Sequence, residues 1–403
     1  MTNTDERPGR EREGHRRIDD IEVLRAVAVG LVLVDHVRIN LITFVWGIRE
    51  PFYRTFGFWS GVDLFLVISG FVIARNLLPM LASAQGPLEF FNTSLSFWVR
   101  RAWRLLPSAW LWLVVILLCA AGFNDSGSFQ PWSANVEGAV AAVLNIANLR
   151  TVYAYNHYPT GAAFPYWSLS LEEQFYVVLP FLVYFARRRL ALVLVVLVAA
   201  QLFITRIGAH SSILMNMVKS DALCLGILLS LWSGRPSYRR LELTALKTPL
   251  ARMLLLPGFI FAFALLSGPN FGLETLKVGL VAQLAAAMVW LASYDRDYLL
   301  PPGQLKRFMC WMGARSYAIY LVHIPAFSAT REVWYRLHRE VFHPTAAHGV
   351  ALVVTALPVV FIFAELNYRL IELPLRKHGA RIAERIRERD LAALDGSAAP
   401  HYA

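Results

Sequence analysis

Apolar residues in this chain gather into runs of about 20, separated by short polar loops, the length a helix needs to cross a bilayer. The pattern predicts ten such helices, at 22–45, 57–78, 105–121, 166–186, 190–207, 212–232, 252–268, 273–293, 314–330 and 348–368. Val136–Leu149 is apolar but too short to cross, and reads as a re-entrant or interfacial helix. The expectation is an all-α, polytopic membrane protein of about ten transmembrane helices.

The polar stretches set the orientation. Arg100, Arg101 and Arg104 follow the second run, and Arg187, Arg188 and Arg189 the fourth. Arg235, Arg239, Arg240 and Lys247 follow the sixth, and Lys306 and Arg307 the eighth. By the positive-inside rule these loops are cytoplasmic, as are both termini. The connection Gly122–Pro165 holds Arg150 as its one Lys or Arg and lies outside. Arg331, Arg336 and Arg339 also fall outside, a local violation of the rule. Residues 1–20, with Arg7, Arg10, Arg12, Arg16 and Arg17, form a disordered basic cytoplasmic tail, not a signal peptide. A transmembrane domain covers 21–376, and 377–403 is a charged cytoplasmic tail. No internal repeat is visible.

Composition agrees with that setting. Hydrophobic residues make up 57% and charged residues 17%, with a mean hydropathy of +0.46, outside the soluble range. A net charge of +11 resides mostly in the loops and comes with no nucleic-acid motif, so no nucleic-acid partner is expected. Cys119, Cys224 and Cys310 are isolated, and neither a CxxC pair nor any other metal spacing occurs.

Two side chains then stand out. Arg25 and His36 are eleven positions apart in the first run, close to three helical turns, so both project from one face about 16 Å apart. An imidazole inside a bilayer is costly unless it faces a protein interior or a wet cavity, and His36 is therefore a candidate general base. Arg25 either binds a phosphate or marks the cytoplasmic boundary, with Glu22 one turn away to neutralise it. Asp35 and Arg38 read as an i, i+3 ion pair.

Further candidates follow along the chain. Asp63, near the start of the second run, is placed to orient His36 or to hold an acceptor hydroxyl, while Ser69 and Gly70 read as small residues that let helices approach. Arg100, Arg101 and Arg104 lie among tryptophans, either as phosphate ligands or as an interfacial anchor. Glu172 and Glu173 open the fourth run, where carboxylates also suit a helix N-terminus. Lys219 and Asp221 are expected to compensate one another. His323 in the ninth run reads equally as a satisfied interior group or a participant.

Together these segments resemble the acyltransferase-3 family, membrane enzymes that acylate sugars and related hydroxyl acceptors. The likeness spans about residues 20–376. It rests on Arg25 followed by His36, GVDLFLVISGF at 61–71, FWVRRAWRLLP at 97–107, WSLSLEEQFY at 167–176, SYAIYLVHIP at 316–325 and Glu372-Leu373-Pro374. Lys219, where an arginine of an Arg-x-Asp pattern is expected, and Asp35 before the histidine depart from the family pattern. The resemblance implies acyl-coenzyme A, most simply acetyl-coenzyme A, as donor substrate, with no permanently bound cofactor and no metal. It implies His36 as base, with Asp63, Glu172 and Glu173 as candidates for the active centre. Arg101 and Arg104, with Arg100 and Arg25, become candidate donor ligands.

The expected product is an O-acylated sugar of a cell-surface polysaccharide, lipopolysaccharide or glycolipid, made at the inner or plasma membrane. O-acylation of a small secondary metabolite such as a macrolide is the alternative within the class. A secondary transporter is the alternative outside it, disfavoured by the missing repeat. The pattern leaves the oligomeric state open.

The orientation is directly testable. In a chain stripped of its three cysteines, a new cysteine in the Gly122–Pro165 connection reacts with an impermeant maleimide from outside, and one beside Arg240 does not. The opposite labelling pattern would invert the topology.

Overall fold

The structure, a computed structural model, describes residues 17–42, 46–154, 157–206, 214, 217–338 and 346–394. Arg7, Arg10, Arg12, Arg16, Arg339 and the tail beyond 394 lie outside the described residues, as do four positions in the predicted run 212–232. The described residues contain helices and loops and no strands.

The helices are α1 (Asp19–His36), α2 (Trp46–Thr55), α3 (Gly61–Ala82), α4 (Pro87–Gly122), α5 (Trp132–Val143), α6 (Ala147–Ala154), α7 (Tyr166–Ala186) and α8 (Leu190–Leu202). They continue as α9 (Asp221–Ser233), α10 (Pro249–Ser267), α11 (Lys277–Ala292), α12 (Gln304–Ala314), α13 (Ser316–Leu337), α14 (Ala346–Asn367) and α15 (Leu373–Leu394). Among the described residues, four helical stretches are long and apolar enough to cross a membrane, namely Gly61–Ala82, Pro87–Gly122, Pro249–Ser267 and His348–Glu388. The helices α9 and α11 are apolar but shorter.

At the centre lies α1. Its acids Asp19, Asp20 and Glu22 occupy the first turn, where the helix dipole favours negative charge. From Ile21 to Leu33 it is buried on nearly every side, the mark of a helix enclosed by others. It ends at His36 and runs straight into a π-helical turn, Val37–Leu41, in which the Ile42 N–H reaches the Val37 carbonyl five residues back. Such widened turns concentrate at functional sites.

Apolar helices gain little from leaving lipid, so their association rests on close packing and internal polar bonds. The pair α3 and α9 shows the packing. A Cβ added to Gly70 would lie 2.3 Å from the Leu223 carbonyl oxygen, and one on Gly226 would lie 2.2 Å from that of Val67. The backbones touch at both positions. Gly70 thus has the close-approach role expected of it, whereas Ser69 turns instead towards Glu172 and Tyr176.

Several expectations change. The arginine segment is no loop before a helix at 105; it lies within α4, a single 36-residue rod from Pro87 to Gly122. Charge lowered the hydropathy there without breaking the helical backbone. Asp19 and Asp20 belong to α1 rather than to a tail. The charged residues after 376 form α15, which lies along α4 so closely that a Cβ on Gly379 would be 2.3 Å from the Trp103 Cβ. Val136–Leu149 resolves into α5 and α6, joined through Asn145 at a φ of 56°.

Lys219 and Asp221 do not pair with each other, because residues two apart on a chain do not face one another. Lys219 Nζ reaches Asp63 Oδ2 at 2.9 Å, and Arg206 reaches Asp221 Oδ2 at 2.7 Å. All four side chains are buried. By contrast Asp35 and Arg38 pair as expected, at 3.7 Å.

Two of the arginines that violate the positive-inside pattern, Arg331 and Arg336, are tied down locally. Arg331 donates to the Asn40 carbonyl at 3.0 Å, and Arg336 to Glu332 at 2.6 Å. Glu332, beyond the predicted run, also accepts from the Asp125 and Ser126 N–H groups and the Ser126 hydroxyl. Burial opposes its ionisation, but these donors outweigh burial and hold the carboxyl down to about 2.

The glycine contact yields a stability prediction. Gly226→Val should drive α3 and α9 apart and cost about 1–3 kcal/mol, as overpacking does. Gly258→Ala, in α10 with nothing within 4 Å of the added Cβ, should be neutral or slightly stabilising. Thermal midpoints of both variants in detergent, against wild type, provide the check.

Candidate functional site

Arg25 stands two turns into α1, where Glu22 one turn earlier accepts from it at 2.9 Å. Arg17 reaches the other oxygen of Glu22 at 3.0 Å. On α4, Arg101 and Arg104 are three apart and share a face, while Arg100 is turned by about 100° from Arg101. Accordingly Arg101 and Arg104 point inward, and Arg100 faces Glu384 and Arg387 of α15.

The inward pair meets Arg25 across a cavity of about 90 Å³, space for several waters. Its walls come from α1, α3, α4, α7 and α13. Three guanidiniums and one carboxylate, Glu172, line it, with Glu22 bonded to Arg25 beside it. The Arg104 Nε has no hydrogen-bond partner among the described residues. Planar guanidiniums converging on one space suit a phosphate or carboxylate ligand.

Glu172 accepts from the hydroxyls of both Ser69 and Tyr176, which lie 2.7 Å from each other. The Tyr176 ring sits beneath Arg101, whose guanidinium carbon is 5.1 Å from the ring centroid. This lining cluster escaped the sequence reading, although Glu172 and Tyr176 are at the i, i+4 spacing that makes helical neighbours. Glu173 points elsewhere, into a smaller pocket with Tyr166, Ser170 and Asn145. The two adjacent carboxylates therefore serve different spaces.

Asp63 is fully buried in the first turn of α3 and is held by Lys219, so it does not orient His36. The Lys219 ammonium in turn lies 5.6 Å from the Trp59 ring and 5.9 Å from the Trp167 ring.

His36 is partnered by His323. Its Nδ1 is 2.7 Å from the His323 Nε2. The ring centroids are 4.9 Å apart with the planes within 9°. That separation is nearly the N···N distance extended by a ring radius at each end, so the imidazoles meet edge to edge in one plane and do not stack by their faces. Phe164 closes against the His36 ring at a centroid distance of 5.1 Å. His36 is half-buried, whereas His323 is fully enclosed.

The arginine cavity and the histidine pair are joined through Tyr320. Its hydroxyl end lines the cavity, 2.6 Å from the Ser168 hydroxyl, and its carbonyl is 2.6 Å from His323 Nδ1. One residue thus touches both. No group of three or more His, Cys, Asp or Glu side chains able to hold a metal occurs among the described residues.

Comparisons with known proteins identify the family. A family model described as an acyltransferase domain, that of the acyltransferase-3 family, matches residues 18–365. The Bacillus subtilis (strain 168) protein YrhL is 30% identical over 91% of this chain and 56% of its own length. The peptidoglycan O-acetyltransferase OatA of Listeria monocytogenes is 28% identical over 91% of this chain and 57% of its own length. The chain therefore spans somewhat more than half the length of these relatives. No solved structure matches it. With a family model covering residues 18–365 and a cavity drawn from five of its helices, the chain belongs to the acyltransferase-3 family of multi-pass membrane proteins.

Proposed function

We propose that the protein is a membrane O-acyltransferase that moves an acetyl group from acetyl-coenzyme A to a hydroxyl of a cell-wall polysaccharide. The acceptor class follows its relatives, of which OatA is a peptidoglycan O-acetyltransferase. The observation that carries the reading is the convergence of Arg25, Arg101 and Arg104 on one cavity. Coenzyme A is a multiply phosphorylated donor, and guanidinium forks bind phosphate oxygens two at a time.

In this reading about ten helices cross the membrane with both termini in the cytoplasm, so the arginines meet the donor on the side where it is made. Arg25 lies about 16 Å from His36 along α1. The donor's flexible arm spans that interval and carries the thioester towards the imidazole. An acceptor hydroxyl arriving from the opposite side gives its proton to His36 and attacks the thioester carbonyl. Alignment of the two substrates between fixed helices supplies much of the acceleration. Glu172, with Ser69 and Tyr176, braces Arg101 and shapes the cavity wall. Asp63 holds Lys219 and so anchors α3 to the chain leading into α9.

Two measurements test the assignment. His36→Ala should abolish acetyl transfer to peptidoglycan oligosaccharides, measured per folded protein because the change also leaves the buried His323 without its partner. Full activity in that variant would overturn the base assignment.

Arg101→Ala or Arg104→Ala should weaken acetyl-coenzyme A binding by about tenfold to over a hundredfold, the equivalent of losing one charge-assisted contact of ~1.5–3 kcal/mol. Lysine at either position should recover part of the loss, since charge survives but the fork does not. Arg100→Ala, directed at α15, should change affinity far less. Binding by calorimetry, normalised to folded protein, decides; equal affinities across the series would return these arginines to a role in membrane anchoring.

A further inference from the structure

The hydrogen bonds around the two histidines determine which nitrogens carry protons. The Tyr320 carbonyl oxygen can only accept, so the His323 Nδ1 facing it at 2.6 Å must be the donor. His323 is fully buried, and its hydrogen-bond partners among the described residues, the Tyr320 and Ile319 backbone and His36, bring no negative charge. Burying an uncompensated imidazolium there is costly, so His323 is neutral, with its single N–H on Nδ1. Its Nε2 is then a lone pair. The 2.7 Å contact from that lone pair requires His36 to donate from Nδ1. A neutral His36 that donates from Nδ1 keeps Nε2 bare.

We propose that His323 is the positioning residue of the transfer reaction, holding His36 in the one tautomer and ring orientation that can accept a proton at Nε2. Partners at the far nitrogen set tautomers in this way in many histidine sites. The chain is Tyr320 carbonyl, His323, His36, with every donor facing an acceptor. The in-plane meeting of the rings, within 9°, directs the shared hydrogen along the lone pair and fixes the His36 ring against rotation.

The step balances on these atoms. The acceptor O–H bond breaks and its proton moves to His36 Nε2. The oxygen forms a bond to the thioester carbonyl carbon, and the carbon–sulfur bond breaks with its electron pair leaving on sulfur. The proton then passes from His36 Nε2 to that sulfur, releasing free coenzyme A. Throughout, His36 Nδ1–H stays bonded to His323, whose lone pair steadies the transient imidazolium without taking a proton.

The inference rests on His36 being the base, and the test separates the two. Full-length protein in nanodiscs is assayed with acetyl-coenzyme A and soluble peptidoglycan oligosaccharides, with folded protein quantified by size exclusion. His323→Leu and His323→Phe should lower kcat at least tenfold and leave the KM for acetyl-coenzyme A within about twofold. His323→Gln, whose amide oxygen can accept near the former Nε2, should recover a measurable part of kcat. A purely packing role predicts the reverse order, with Phe milder than Gln, and that result would overturn the proposal. Wild-type kcat in His323→Leu alongside an inactive His36→Ala would also overturn it while leaving the base assignment standing. An active His36→Ala would remove the base assignment itself. Should the Leu and Phe variants fail to fold, the Gln variant decides alone: a kcat loss confined to tenfold or less, with KM unchanged, supports the acceptor role, and loss equal to His36→Ala opposes it.

Discussion

Charged groups inside this bundle have little water to fall back on, so several find partners far along the chain, and that requirement shapes the molecule. Lys219 crosses to Asp63, Arg206 to Asp221, Lys306 to Asp20, and Lys277 donates to the Gly268 carbonyl. Such pairs add little net stability over apolar packing, but breaking one strands a buried charge. They therefore act as registration marks: a helix that slipped by one residue would leave several charges unmatched at once. The cavity differs from these pairs in that three arginines and one carboxylate line a shared space.

Much of the architecture was legible because lipid imposes a coarse rule on length and polarity. Residues 166–186 were predicted as a helix, and α7 has those bounds. Hydropathy erred where a helix continues while its chemistry changes, as in α4, whose arginine-bearing first half reads as loop. It also erred over Lys219 and Asp221, since closeness along the chain says nothing about which faces meet. Of the site residues, Arg25, Arg101, Arg104 and Glu172 do share one cavity, while Asp63, Arg100 and Glu173 each look elsewhere. The separation within Arg100-Arg101 and Glu172-Glu173 follows from helical rotation, which sends neighbours to different sides. His323 was visible as a residue but not as a partner, because its meaning depends on His36, 287 positions away, and on a backbone carbonyl.

In the proposed reaction, the division of labour between the cavity and the histidines has a physical logic. A phosphate-binding site needs positive charge and water access. A neutral imidazole base needs the opposite, since nearby cations and bulk solvent would both disturb its proton affinity. Three turns of α1 keep the two apart, and Tyr320 spans the boundary with its hydroxyl end on one side and its carbonyl on the other.

The π turn after His36 gives that boundary a mechanical side. Its widened backbone leaves the Asn40 carbonyl to Arg331, while four residues earlier His36 is held by His323. Both anchors stand on α13, eight positions apart. Two points on each rod fix both sliding and twisting, so the end of α1 is bolted to α13 as a hinge leaf is bolted by two screws. In the proposed reaction, the histidine is then a fixed post, and any movement that admits substrates falls to the other walls of the site.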